Sequence, residues 1–207
     1  MTPTLGALPA RFRRPRLLIV GCGDVGQRVA MGLSSRLKVL ALTSSPERVP
    51  ALRGQHITPL VGNRDDARSI ARLAGLATHV LHLAPPPSVG WSDPRTQALT
   101  RTLRLRSAPN HLVYGSTSGV YGDLKGGPAR ETLPTAAHTP RAFRRVSAER
   151  AVRDIVHSSI LRIPGIYAPD RDGGTPKERL LKGTPVLQKQ DYVYTNHIHA
   201  DDLARAC

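Results

Sequence analysis

The chain has 207 residues, 40% hydrophobic but only 4% aromatic, with a net charge of +15, which suits one α/β core of Leu, Val, Ile and Ala plus a small appendage. No apolar run approaches membrane-spanning length and residues 1–16 lack the apolar centre of a secretory signal, so the membrane and secreted classes are set aside. The basic residues, mostly Arg, are scattered without an aromatic-interleaved stripe, which reads as a solvated face and argues against nucleic acid as a partner.

Residues 1–15, with their prolines and Arg11, Arg13 and Arg14, read as a flexible basic leader. An apolar run at 17–20, too short for a helix, then reads as a strand feeding Gly21-Cys22-Gly23-Asp24-Val25-Gly26. Helical apolar spacing follows at Val25, Val29 and Leu33. This is the strand–turn–helix setting that a G-x-G-x-x-G fingerprint requires. Gly21 permits the tight turn, Gly23 has no Cβ to block a diphosphate, and Gly26 lets the helix approach the strand. The helix start, with Asp24 and Val25, offers unpaired N–H groups and a positive dipole end to phosphates. A lone glycine-rich turn is a weak signal, but its flanks here point to dinucleotide binding.

Residues 38–43 read as a second strand ending in Ser44, Ser45, Pro46, Glu47 and Arg48. NAD-preferring versions of such folds place an acidic residue near this strand end to hold the ribose hydroxyls. Here Ser44 and Arg48 suit a 2′-phosphate, which favours NADP, while the neighbouring Glu47 keeps NAD as the alternative. Ser45-Pro46-Glu47 also reads as a helix cap and start. A third strand at 56–61 leads to Asn63, placed to bond an adenine edge. Asp65 or Asp66 then caps a helix carrying Ile70, Leu73 and Ala74. A fourth strand at 78–84 ends at Ala84 and is stopped by Pro85-Pro86-Pro87, a rigid loop at the carboxyl edge of the sheet, where ligands bind. His79 and His82 on this strand read as core or edge histidines rather than metal ligands.

Residues 94–106 form an amphipathic helix around Leu99 and Leu103, and residues 111–115 a fifth strand, from which Ser116 to Gly122 emerges. A Gly- and Pro-rich loop at 123–140 holds Glu131-Thr132, and a helix at 141–156 turns Phe143, Val146, Ala151 and Val152 inward. A sixth strand follows at 159–163. Strands alternating with helices in this way predict a doubly wound, mostly parallel α/β sheet covered on both faces.

Several segments together resemble the extended short-chain dehydrogenase/reductases, the NAD(P)-dependent epimerase/dehydratase superfamily. They are Ser116-Thr117 with Val120-Tyr121-Gly122, Glu131-Thr132, Leu161 to Tyr167, and Asn196 to Ala204. The resemblance spans 17–207 and implies a Rossmann-type NAD(P)-binding domain over 16–163 and a partial substrate-binding region over 164–207. It puts Asn63 in place of an adenine-contacting Asp and lines the cofactor with Ala84 and Pro85. The glycine spacing is closer than the G-x-x-G-x-x-G of extended members, which leaves dinucleotide binding intact.

The family's redox step uses a Tyr as acid–base, helped by a Lys four residues on and a Ser or Thr hydroxyl. Aligning Ala148-Glu149 with the family's helix places Arg141 at the Tyr position and Arg145 at the Lys position, with Thr117 at the hydroxyl position and Ser116 beside it. Arg145 can replace the Lys as a cation over the ribose. Arg141 cannot replace a phenol, because a guanidinium keeps its proton, but it can clamp an anionic substrate group or a phosphate. Tyr114 and Tyr121 are the remaining proton donors. The expectation is therefore an NAD(P)-binding oxidoreductase or epimerase-like protein for a small polar substrate, with a non-catalytic dinucleotide sensor as the alternative.

Family members continue well past this chain's Cys207, so a truncated substrate lobe is expected, with exposed apolar surface that favours a homo-oligomer. Two cysteines give no disulfide framework, which points to a reducing, cytoplasmic compartment. His197 and His199 share one side of a strand near Asp201 and Asp202, a pattern that can suggest metal. A strand-to-helix join with Asp201 or Asp202 as cap explains the same letters, so no metal is expected.

Overall fold

The computed structural model describes residues 14–155, 157–171, 175–186, 188–191 and 194–207. Residues 1–13 of the expected 1–15 leader, and Val156 at the expected end of the 141–156 helix, lie outside the described residues. At the described end of the leader, Arg14 Nη2 donates to the carbonyls of Ser34 at 2.8 Å and Ser35 at 2.6 Å, and Lys38 N–H donates to Pro15 O at 2.9 Å.

Six strands form one parallel sheet: β1 (Arg16–Val20), β2 (Lys38–Thr43), β3 (Thr58–Val61), β4 (His79–His82), β5 (His111–Thr117) and β6 (Ser158–Ile163), in the order β3-β2-β1-β4-β5-β6. The chain steps outward from β1 to β3 and then reverses to β4, so a crevice opens at the carboxyl ends of β1 and β4. Each crossover runs through a helix: α1 (Asp24–Leu33), α2 (Val49–Gly54), α3 (Ala67–Ala71), α4 (Pro94–Leu103) and α5 (Pro140–Arg153). The two-residue period of a strand sends alternate side chains to opposite faces. Leu17 and Ile19 accordingly join Val29, Ala30 and Leu52 on one side, while Leu18 and Val20 join Leu99, Leu103, Ala148 and Val152 on the other. The unbroken apolar run Leu17–Val20 of the central β1 is what a sheet buried on both faces demands.

Beyond the sheet, β7 (Gly165–Tyr167) and β8 (His197–His199) make a parallel pair, with α6 (Pro176–Leu181) and α7 (Ala200–Ala206). Helix α7 packs on α1, where Ala204 and Cys207 join the cluster that holds Val29 and Ala30. Arg28 fastens this region to the sheet: its guanidinium bonds Asp24 at 3.0 Å, Asp170 at 2.7 Å and Asp201 at 2.5 Å. Three carboxylates hold that cation strongly protonated. In Arg28→Met, amide exchange in α7 and β8 is expected to quicken while the six-stranded sheet keeps its protection. Unchanged exchange in α7 would show that apolar packing alone holds it.

Several sequence expectations are corrected. Phe143 points outward at 40% exposure and meets Trp91 edge-on at 5.3 Å. It shares its side of α5 with Ser147 and Arg150, whereas the buried side runs through Ala142, Val146, Glu149 and Val152. Strand β3 starts at Thr58 because His56 takes a left-handed φ of 58°. Strand β4 stops at His82, and the amides of Leu83 and Ala84 both turn to Val20 O. Ser45 stands before the 3-10 turn Pro46–Arg48 without a side-chain cap bond. The cap on α7 is His199, whose ring accepts from Asp201 N–H at 3.3 Å; Asp201 and Asp202 pair instead with Arg28 and Arg205. Asp66 is the cap on α3, accepting from the amides of Arg68 and Ser69.

Candidate functional site

The crevice is built around the turn after β1. Gly21 adopts φ +94°, and a Cβ there would stand 2.3 Å from Ala84 N, so only glycine lets β1 end against β4. Gly26 lies close under the strand, its Cβ position 3.2 Å from Gly21 O and from Ile19 Cγ2. Gly23 faces open space, with nothing within 4 Å of a Cβ position. The three glycines thus do what their spacing predicts: a turn, an open approach and a close packing.

One half of the crevice, about 550 Å³, runs from this turn to the ends of β2 and β3. Ser44, Arg48, Asn63, Ala84 and Pro85 all line it, together with Arg64, Asp65 and Arg95. Arg48 donates to Cys22 O at 2.7 Å and so stands beside the glycine turn. Asn63 Oδ1 accepts from Asp65 N–H at 3.0 Å, which fixes the side chain and leaves its amide N–H groups as donors. Arg64 reaches Pro85 O at 2.8 Å, and Arg95 grips Asp65 through two bonds of 2.6 and 2.5 Å. Burial, with Arg95 as a like-charged neighbour, lowers the Arg64 pKa, while the Arg95 bonds hold the Asp65 carboxyl below the usual range.

The other half, about 250 Å³, lies between the glycine turn and α5. Gly21, Gly23, Asp24, Val25, Gly26, Ser116, Thr117, Arg141 and Arg145 line it, with Arg171 and Leu203 on the far side. All four expected chemical residues therefore meet in one cavity. Their hydrogen bonds separate them. Thr117 Oγ1 accepts from Gly119 N–H at 3.3 Å, which leaves its proton for a ligand. Ser116 donates its proton to Glu149 at 2.6 Å. Arg145 Nη1 donates to Tyr114 Oη at 3.1 Å and to Gly115 O at 2.7 Å, so the guanidinium is pinned to the wall.

Neither candidate phenol lines this half. Tyr114 is fully buried, and burial pushes its pKa up to about 12 against the opposing pull of Arg145. Tyr121 lies under the Arg162 guanidinium, 4.6 Å from ring centre to carbon. His82 is a core histidine: its Nε2 is 2.8 Å from Thr96 Oγ1, which in turn donates to Asp93 at 2.6 Å. Burial lowers its pKa to about 4, so it stays neutral. Among the described residues no group of histidines, cysteines and carboxylates is placed to hold a metal. Nor is any described helix long and apolar enough to cross a membrane.

Sequence reasoning missed Glu149, Arg162, Arg64 and Arg171. Glu149 is wholly buried on α5 and accepts from Ser116, from Arg153 and from Nε and Nη2 of Arg162. Burial alone would raise its pKa, but the Arg162 and Ser116 bonds overcome this and hold the carboxyl below the usual range. The available signal was spacing, since Glu149 falls three residues after Val146 and three before Val152, on the buried side. No local signal marks Arg64 or Arg171, which reach the crevice only through folding.

A parallel sheet with its strand order reversing at a glycine turn defines a dinucleotide-fold protein of the Rossmann type. The chain belongs to the NAD dependent epimerase/dehydratase family, whose model matches residues 17–207. It is 28% identical over 177 residues to UDP-glucose 4-epimerase 4 of Oryza sativa subsp. japonica, covering 74% of this chain and 48% of that one. The chain thus spans about half the length of that curated relative. Among solved structures it resembles a conserved protein of unknown function from Silicibacter pomeroyi, with TM-score 0.71 and 26% identity over 92% of this chain and 66% of that one. It shares its fold with a Bacillus cereus UDP-glucuronic acid 4-epimerase solved with UDP-glucuronic acid and NAD, at TM-score 0.72 and 19% identity, covering 92% of this chain and 71% of that one.

Proposed function

We propose that the chain binds a nicotinamide dinucleotide across the carboxyl edge of its sheet and acts as an atypical oxidoreductase or epimerase-like protein on a small polar substrate. One observation carries this reading: the glycine turn, with Gly23 open, faces a cleft whose two halves, among the described residues, each present three arginines against one carboxylate. That surplus of positive charge suits a diphosphate better than a neutral ligand. Gly21 to Gly26 would hold the diphosphate, Asn63 and Pro85 the adenine end, and Ser44 with Arg48 the ribose, which favours NADP, with NAD the alternative. Asp24 would repel phosphate if unpaired, and Arg28 at 3.0 Å with Arg171 at 3.7 Å offsets its charge.

When bound, the dinucleotide supplies a hydride donor or acceptor. The chain's own contribution is Thr117, donating to a substrate oxygen, and Arg145, a fixed cation beside it. A second reading, a sensor without turnover, is favoured by the absence of any tyrosine from the described lining of this half of the cleft. The free thiols of Cys22 and Cys207 suit a reducing cytoplasm.

Titration with NADPH and NADH tests the reading by fluorescence enhancement. Both should bind, NADPH more tightly, and Gly23→Asp should abolish binding while leaving the melting curve nearly unchanged, because the site is open. A folded protein that gives no signal with either nucleotide at millimolar concentration overturns the proposal. Turnover of bound nucleotide with a panel of aldehydes and sugar nucleotides then separates enzyme from sensor.

A further inference from the structure

The α5 end of the cleft holds several hydrogen-bond donors that no acceptor among the described residues satisfies. Arg141, near the start of α5, is exposed and makes no ion pair or hydrogen bond among the described residues. Arg145, one turn on, has its Nη1 satisfied, but its Nε is buried without an acceptor. Arg171 enters the same cavity from the segment after β7, and its Nη1 is likewise buried without an acceptor among the described residues. Among the described residues one carboxylate lines the cavity, Asp24, which pairs with Arg28 at 3.0 Å through Oδ1. Its Oδ2, without a hydrogen bond among the described residues, faces Arg171 at 3.7 Å, so three arginines still outnumber this one carboxylate. Thr117 adds a hydroxyl proton directed to no acceptor among the described residues.

Buried N–H donors are costly unless they meet an acceptor. A sugar hydroxyl offers a single oxygen to two guanidinium groups, whereas a carboxylate or phosphate offers several in the geometry that guanidinium forks prefer. We infer that this end of the cleft is an oxyanion site, in which Arg141, Arg145 and Arg171, with Thr117, bind a carboxylate or phosphate group of the substrate alongside the dinucleotide. The inference rests on the dinucleotide reading and adds the substrate's charge to it. Arg141 then stands where acid–base chemistry would need a phenol, because its task is to bind charge.

The test uses the whole chain loaded with saturating NADPH, titrated by calorimetry with malonate and separately with inorganic phosphate at constant ionic strength. At least one anion should bind the loaded protein, and preference for malonate or phosphate identifies the group. Arg141→Gln should weaken that binding about tenfold, as expected for one charge-assisted bond, and Arg141→Lys should retain part of it. Because Arg141 is exposed and its side chain has no partner among the described residues, neither variant threatens folding. Anion binding that only competes with NADPH means occupation of the diphosphate cradle and overturns the inference. Equal binding by Arg141→Gln and the unaltered protein, or none by either, also overturns it. Failure to bind NADPH appears in the loading step and defeats the underlying reading separately.

Discussion

Glu149→Ala is expected to cost about 3–5 kcal/mol of stability, read as a lowered urea midpoint with the slope unchanged. Glu149 is wholly buried, and Arg162, at 13% side-chain exposure, depends on it through bonds of 3.2 and 3.0 Å. Removing the carboxylate leaves a largely buried guanidinium without its counter-charge and Ser116 without its acceptor. Glu149→Gln should be nearly as damaging, since the amide keeps the shape but not the charge. Replacing both partners, Glu149→Leu with Arg162→Met, should recover much of the loss, because an apolar pair has no charge to desolvate. A double variant no better than the single ones would show that packing, not charge, sets the cost.

The same carboxyl gives the stability a sign in pH. Its folded pKa lies below the ordinary Glu value. Its contribution is therefore fully present above the unfolded value of about 4.3 and is lost as pH falls through the lower folded value. In Glu149→Gln the acid limb of the stability profile should flatten relative to the unaltered protein.

Gly21→Ala is the second large effect, expected at roughly 2–5 kcal/mol from backbone strain and overpacking together. The added Cβ would lie 2.3 Å from Ala84 N, 2.6 Å from its Cα and 2.8 Å from Leu83 C, all backbone atoms of the segment after β4. No rotamer change relieves such a contact, and φ +94° is itself unfavourable for alanine. The control lies two residues on. Gly23→Ala meets nothing within 4 Å and should alter stability by less than about 0.5 kcal/mol, as open surface changes do. Equal effects at the two positions would mean that the turn does not have the described shape.

Much of this was legible locally. The strand positions, the order of strand and helix, and the glycine turn follow from apolar periodicity and from backbone conformations that one residue type can adopt. The placement of Thr117, Arg141 and Arg145 in one cavity followed from a resemblance in motif and register. The inward face of α5 was less legible, because Phe143 suggested burial by its type alone. The helical phase instead puts Glu149 inside, where Ser116 of β5 donates to it and Arg162 of β6 balances its charge.

By itself, then, the sequence determined a parallel α/β sheet and its phosphate-facing turn, since short-range sterics and hydrophobic spacing are written in consecutive residues. The tertiary structure alone decided which charges meet. Arg28 finds Asp170 and Asp201, Arg162 finds Glu149, and Arg171 enters the cleft beside Asp24, across separations that carry no local signature. A long charged side chain adds little to local conformation, so only the packed sheet and helices fix which partner lies within reach.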